Sequence, residues 1–524
     1  MTLPTITMPT SRSLRFAPAI LGVVALTLFG QQQMTFEHTP KPQGDPATLR
    51  QALEKDLANV SNHEKYIAVI FAEARQKGER WPMLPELHTA YENWIRQNPR
   101  LPAVHWGLGQ VKYLERNPDA AGDYQAAIQC DPNFARAYES LATFYYDHGD
   151  QAHRAEVLRK AMELDPTNST SAEQYALSLG SSSLELFRKA VEDHDARFAN
   201  ADSLYLINKL QDEVPEAERQ SLLERACKKY ASQPNPLGMS GIPMKALFEL
   251  YAVQDPSKAL EFARERQKYQ TAFKQWVAVV AYQEKLVQAG QLMAAGKFAE
   301  VSALLGELKA PWSLDVTPLE LAKAQASAGA GDTSKAYRSL LTATATAPNK
   351  PLLTALNRCG QELGKTSSQI KDDLWNLRTA SARPFQDFEL EQYPSLEKHS
   401  SKETRGKVVL VNFWFPTCIP CRDEFPRLQA LYDKYKSRGF TIQAVNIVSS
   451  DSVRVYPLMK AYNYPIFKSP ADGWSKEVYG VQSAPTNYLL DTTGRIVATP
   501  AVYNNQLQRR LELQIEALLE KAGR

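Results

Sequence analysis

Val408-Val409-Leu410-Val411-Asn412-Phe413-Trp414 leads through Phe415-Pro416-Thr417 into Cys418-Ile419-Pro420-Cys421-Arg422-Asp423-Glu424-Phe425-Pro426. The first seven residues are almost continuously apolar and rich in β-branched side chains, which predicts a strand buried on both faces. The cysteine spacing then carries chemistry. A helix beginning at the motif puts Cys418 at its N-terminus, where unpaired amides and the helix dipole favour a thiolate. Cys421 falls one turn on, close enough to attack a mixed disulfide made at Cys418. Pro420 has no amide hydrogen to leave unpaired, and its φ suits a first helical turn. A lone Cys-x-x-Cys is also half of a zinc site. No second such pair exists and no histidine follows His399, so no metal is expected.

Working outward, Thr441 to Ile447 and Asn487 to Leu490 read as two more strands. Asp491-Thr492-Thr493-Gly494 is a turn into a fourth, Ile496 to Thr499. Helical patterns run from Asp423 to Lys436 and from Gln506 to Leu519, so an α/β sheet covered on both faces is predicted. Ser483-Ala484-Pro485-Thr486 brings a proline into a strand, which requires a cis peptide bond or a strand start. Phe413 and Trp414 read as core, and Arg422 and Asp423 as a solvated helix face.

Together these blocks resemble the thioredoxin superfamily, specifically the extracytoplasmic TlpA/ResA-like thiol-disulfide oxidoreductases related to the AhpC/TSA redoxins. The matching blocks are Gly406 to Trp414, Cys418 to Pro426 and Tyr479 to Thr486. Ala382-Arg383-Pro384-Phe385 with Phe388-Glu389-Leu390 resembles the segment that opens such domains. The resemblance implies an α/β thioredoxin-like fold with Cys418 as nucleophile and Cys421 as resolving thiol. It also implies that Pro485 is the cis-proline facing the disulfide and that Glu424 is the acidic residue tuning the thiols. No cofactor is implied. The partners implied are protein substrates with disulfides or thiols and an upstream electron donor of unknown identity. Thr417 stands where the family usually has tryptophan, which alters the surface beside Cys418 but removes neither sulfur.

Three other functions compete with disulfide exchange. A thiol peroxidase shares the fold, but its threonine and proline positions are here Phe415 and Val411. A non-catalytic scaffold would use the domain for docking alone, yet it has no need for the cysteine spacing. Copper delivery needs a wider spacing and a downstream histidine, both missing.

Upstream, the texture is helical. Leu49, Leu53, Leu57 and Val60 mark an amphipathic helix. Asp131-Pro132-Asn133 recurs 34 residues later as Asp165-Pro166-Thr167, and Asn98-Pro99 precedes them at a similar interval. Tyr138, Leu141, Ala142, Tyr145, Ala161 and Pro166 fall where a tetratricopeptide repeat places its packing residues. Later inter-helix turns start near Asp255, Ala295 and Ala330, and the Pro- and Gly-rich Ser232 to Pro243 reads as a break between two sub-arrays. Such arrays stack into a solenoid that commonly holds a protein partner. Cys130, Cys227 and Cys359 read as buried small hydrophobes.

The 524 residues are 44% hydrophobic and 23% charged, with 61 basic against 58 acidic side chains. This excludes a disordered chain, and the balance leaves no footprint for nucleic acid. Arg12 and Arg15 precede the uncharged Phe16 to Phe29, an export pattern that sends everything after Gln31 out of the cytoplasm. The expected organisation is an all-α array followed by an α/β domain. Residues 1–33 form a signal peptide or membrane anchor, 34–47 a tether and 48–231 a tetratricopeptide-like array. Residues 244–380 form a second helical array and 384–524 the thioredoxin-like domain. The expected location is the periplasm or the outer face of the cytoplasmic membrane.

Overall fold

The computed structural model describes residues 44–76, 82–180, 183–231, 242–269, 275–311, 314–380, 382–502 and 505–523. The apolar stretch Phe16 to Phe29, the tether up to Gln43 and most of the expected break at 232–243 lie outside them. Among the described residues, no helix is long and apolar enough to cross a membrane. The chain divides into two compact units, one ending at Asn117 and one starting at Pro118.

The first unit is helical. Pro46, Pro85 and Pro102 each open a helix, where a missing N–H costs nothing. Its core gathers Leu53, Tyr66, Tyr91, Trp94 and Val104. Buried His63 is held by the Tyr91 hydroxyl and the Leu57 carbonyl, both at 2.9 Å, and burial pushes its pKa down to about 4. It is a structural histidine.

From Ala120 to Ala380 the second unit is also helical, each helix packing on its chain neighbours. The recurrent Asp-Pro turns have a physical cause. Asp131 and Asp165 each end a helix, and their carboxylates accept the N–H two residues on, at 2.9 and 3.0 Å. Proline at the next position cannot extend the helix. Close approach depends on glycine at Gly329, where a Cβ would lie 2.2 Å from the Phe298 ring. One apolar cluster includes Leu223 and Cys227 before residues 232–241 and Phe248 and Trp276 after them, so packing runs across the expected break.

From Arg383 the chain builds an eight-stranded mixed sheet in the order β1-β8-β7-β4-β5-β6-β2-β3. The strands are β1 Arg383–Pro384, β2 Glu389–Gln392, β3 Glu397–Ser400, β4 Val408–Trp414, β5 Phe440–Asn446, β6 Ile466–Lys468, β7 Thr486–Leu490 and β8 Arg495–Ala498. β4 pairs parallel to β5 and antiparallel to β7, and every one of its residues is buried. Its side chains alternate between two cores. Val408, Leu410 and Trp414 face the helices Ile419–Tyr435 and Asn505–Lys521, while Val409, Val411 and Phe413 join Phe385, Phe467 and Tyr488. The four strands expected from sequence are present, and Phe413 and Trp414 are core as expected. Unforeseen are the β2–β3 hairpin and the three-residue β6, both too short or too polar to show periodicity.

Candidate active site

β4 delivers the chain to Cys418, which takes the N-cap position of the helix Ile419–Tyr435. Pro420 lies in the first turn, and the Cys421 N–H donates to Cys418 Sγ at 3.2 Å. Cys418 and Cys421 are disulfide-bonded, with Cα atoms 5.2 Å apart. Both are buried, Cys418 being only 3% exposed. The Ala484–Pro485 peptide is cis, and Ala484 packs against the cluster that contains both cysteines. Thr417 is half-buried beside Cys418.

Glu424 lies one turn beyond Cys421 and is fully buried. Its Oε1 accepts the Val502 N–H at 2.9 Å, and Asn487 Nδ2 donates to both carboxyl oxygens at 3.3 and 3.2 Å. Asn412 Nδ2 donates to Oε2 at 3.4 Å and to Asn487 Oδ1 at 2.8 Å. Opposing influences meet here. The donors favour the carboxylate, but removal from water disfavours it more strongly, and the carboxyl is pushed up to about 7. Glu424 is therefore half-ionised near neutral pH. The buried Asn412 Oδ1 has no hydrogen-bond partner among the described residues.

Cys227 and Cys359 are buried and Cys130 is half-buried. Burial raises the Cys227 thiol to about 12 and also raises that of Cys359, which keeps both protonated at neutral pH. No cluster of metal-ligating side chains occurs among the described residues.

The Redoxin family model matches residues 380–513. The thiol-disulfide oxidoreductase ResA of Oceanobacillus iheyensis is 34% identical over 134 residues, which is 25% of this chain and 68% of that protein. This chain belongs to the ResA family of thiol-disulfide oxidoreductases. Bacillus subtilis ResA is 36% identical over 97 residues, 18% of this chain, and the match spans about half of that relative (53%). Among solved structures, the thioredoxin domain of a Bacteroides vulgatus thiol-disulfide oxidoreductase aligns at 26% identity with a TM-score of 0.24. It covers 26% of this chain and 96% of that one.

Sequence reasoning about this ResA-family domain missed Asn412, Asn487 and the Val502 amide. Asn412 carried one available signal, a carboxamide inside an apolar strand, because a polar group buried there must find partners. The expectation for Arg422 and Asp423 needs correction. The Arg422 side chain is only 8% exposed, and Asp423 is ion-paired with Lys209. Arg422 is removed from water and Asp423 is half-buried, with 34% of its side chain exposed, because helices some 200 residues or more upstream cover this side of the cysteine helix.

Proposed function

We propose that this chain catalyses disulfide exchange with protein substrates outside the cytoplasmic membrane, with the helices of 48–380 recruiting a partner. The observation that carries the chemistry is the Cys418–Cys421 pair at a helix N-terminus, one turn from a buried carboxyl poised near neutrality. In the reducing direction the Cys418 thiolate attacks one sulfur of a client disulfide, and the other client sulfur leaves as a thiolate. Glu424, as carboxylate, takes the proton from the Cys421 thiol. Cys421 then attacks Cys418 Sγ and expels the second client sulfur. Two electrons pass to the client, and the protein is left as the Cys418–Cys421 disulfide. In reverse, protonated Glu424 supplies a proton to the departing Cys421 sulfur. Pro485 and its loop would border the client segment. Return to the dithiol form takes two electrons and two protons from an upstream donor.

The reduced full-length chain mixed with oxidised glutathione should lose the Cys418 and Cys421 thiols together and release reduced glutathione. Cys418→Ser should release none. A wild-type chain that leaves glutathione disulfide untouched would sink this function. The location rests on the charge pattern around Phe16 to Phe29, which also suits an anchor. A reporter fused after Lys41 should be active outside the cytoplasm, and activity only inside would overturn that location.

A further inference from the structure

The residues that follow the redox motif are held by the chain's own helical region. Arg422, next to Cys421, donates through Nε to the Pro416 carbonyl at 2.7 Å, inside the loop that leads to Cys418. Its other nitrogens donate to the carbonyls of Tyr146 and Asp147, the latter at 3.1 Å, at the end of the helix Ala135–Asp147. Its guanidinium also lies 4.1 Å from the centre of the Tyr146 ring, and Arg154 covers the same ring at 4.4 Å. The buried Asp147 carboxylate pairs with Arg422 at 3.6 Å and with Arg454 at 2.8 Å. Further along the cysteine helix, Asp423 pairs with Lys209 and Arg427 pairs with Glu213 at 2.7 Å. Asn505, at the start of the last helix, donates to the Asp212 carbonyl.

The contacts of Arg422, Asp423 and Arg427 come from two separate helical segments, Ala135–Asp147 and Ala201–Glu213, and close on the helix that Cys418 caps and Cys421 occupies. A solvent-exposed ion pair contributes little, but Asp147, Arg422 and Arg454 are nearly removed from water and mutually satisfied, which makes this junction specific. A folded client needs open surface around the sulfur it attacks, whereas a small thiol needs only a path to Cys418 Sγ.

We propose that Tyr146–Asp147, Lys209 and Glu213 form a clasp that selects the substrates of the cysteine pair, admitting small disulfides and thiols while excluding folded proteins until it opens. The clasp rests on the exchange function proposed above, and the two can fail separately. No chemistry is added by it. It changes only which sulfur reaches Cys418.

The test uses the full-length chain with two probes, oxidised glutathione and insulin, whose disulfides are presented on a folded protein. Lys209→Glu with Glu213→Lys turns two attractions into repulsions without touching a core residue. Asp147→Asn removes the charge shared by the two arginines while keeping the shape. Both variants are expected to reduce insulin about tenfold faster than wild type, a coupling of ordinary size between two parts of a protein. Their glutathione rates should stay within about twofold of wild type, because small probes bypass the junction. Thermal melting checks that the variants remain folded, and the charge-reversed pair keeps the test alive should Asp147→Asn unfold. Equal insulin rates in wild type and a folded charge-reversed variant would overturn the clasp. Loss of glutathione exchange in wild type would instead overturn the function on which it rests.

Discussion

Cys421→Ser should stop turnover after the first half of the exchange and leave the client covalently attached to Cys418. The reason is proximity. A resolving sulfur held one helical turn from the mixed disulfide acts at an effective concentration that reaches about 10⁵ M in well-oriented pairs. Serine cannot attack sulfur, so only millimolar external thiol remains, and turnover should fall by about a thousandfold or more. Non-reducing gels of the variant should show adducts that disappear on addition of dithiothreitol, and mass spectrometry should place them on Cys418. The attached proteins would be the clients. Adducts on Cys130, Cys227 or Cys359 would contradict the assignment, and the high thiol pKa of buried Cys227 and Cys359 argues against that result. Cys418→Ser should form no adduct.

Replacing Glu424 with glutamine should remove a titration near pH 7 from the exchange rate. In the wild type, burial raises this carboxyl to about 7. The rate of each half-reaction should therefore bend near neutrality as Glu424 changes from proton donor to acceptor. Glutamine can do neither, and without a neighbouring negative charge the thiol pKa values should fall. Superimposable pH–rate curves for the two proteins would exclude a role in proton transfer. Stability gives an independent check with a definite sign. Below about pH 4.5 Glu424 is protonated in both folded and unfolded chains. Between there and about 7 the unfolded chain gives up this proton while the folded chain retains it. Wild-type stability should therefore fall across that window, by up to about 3 kcal/mol relative to Glu424→Gln. Denaturant titrations of both proteins at pH 4.5 and 7.5 measure the difference. A gap that does not change with pH would mean that Glu424 has an ordinary carboxyl pKa in the folded protein.

Much of the redox domain was legible because its signals are local. The run Val408–Trp414, apolar except for Asn412, reads as a strand covered on both faces, and it is buried throughout. Cys-x-x-Cys with Pro420 specifies a helix start from backbone geometry alone, and Cys418 caps that helix. The Asp-Pro turns at Asp131 and Asp165 were visible because each is a self-contained hydrogen-bonded stop. Tertiary structure alone decided what surrounds those elements. The resemblance marks Glu424 as the acid that tunes the thiols, but nothing local in the sequence says what surrounds it. Its charge state depends on Asn412, Asn487 and Val502, which β4, β7 and the segment after β8 bring together. Arg422 read as solvated because its neighbours in sequence are polar. Its carbonyl acceptor on Asp147 lies 275 residues away, and no local pattern encodes a charge pair formed across that separation. Periodicity reports which face of an element is dry. Which distant group dries a particular charge, and so sets its chemistry, is determined only when the elements pack.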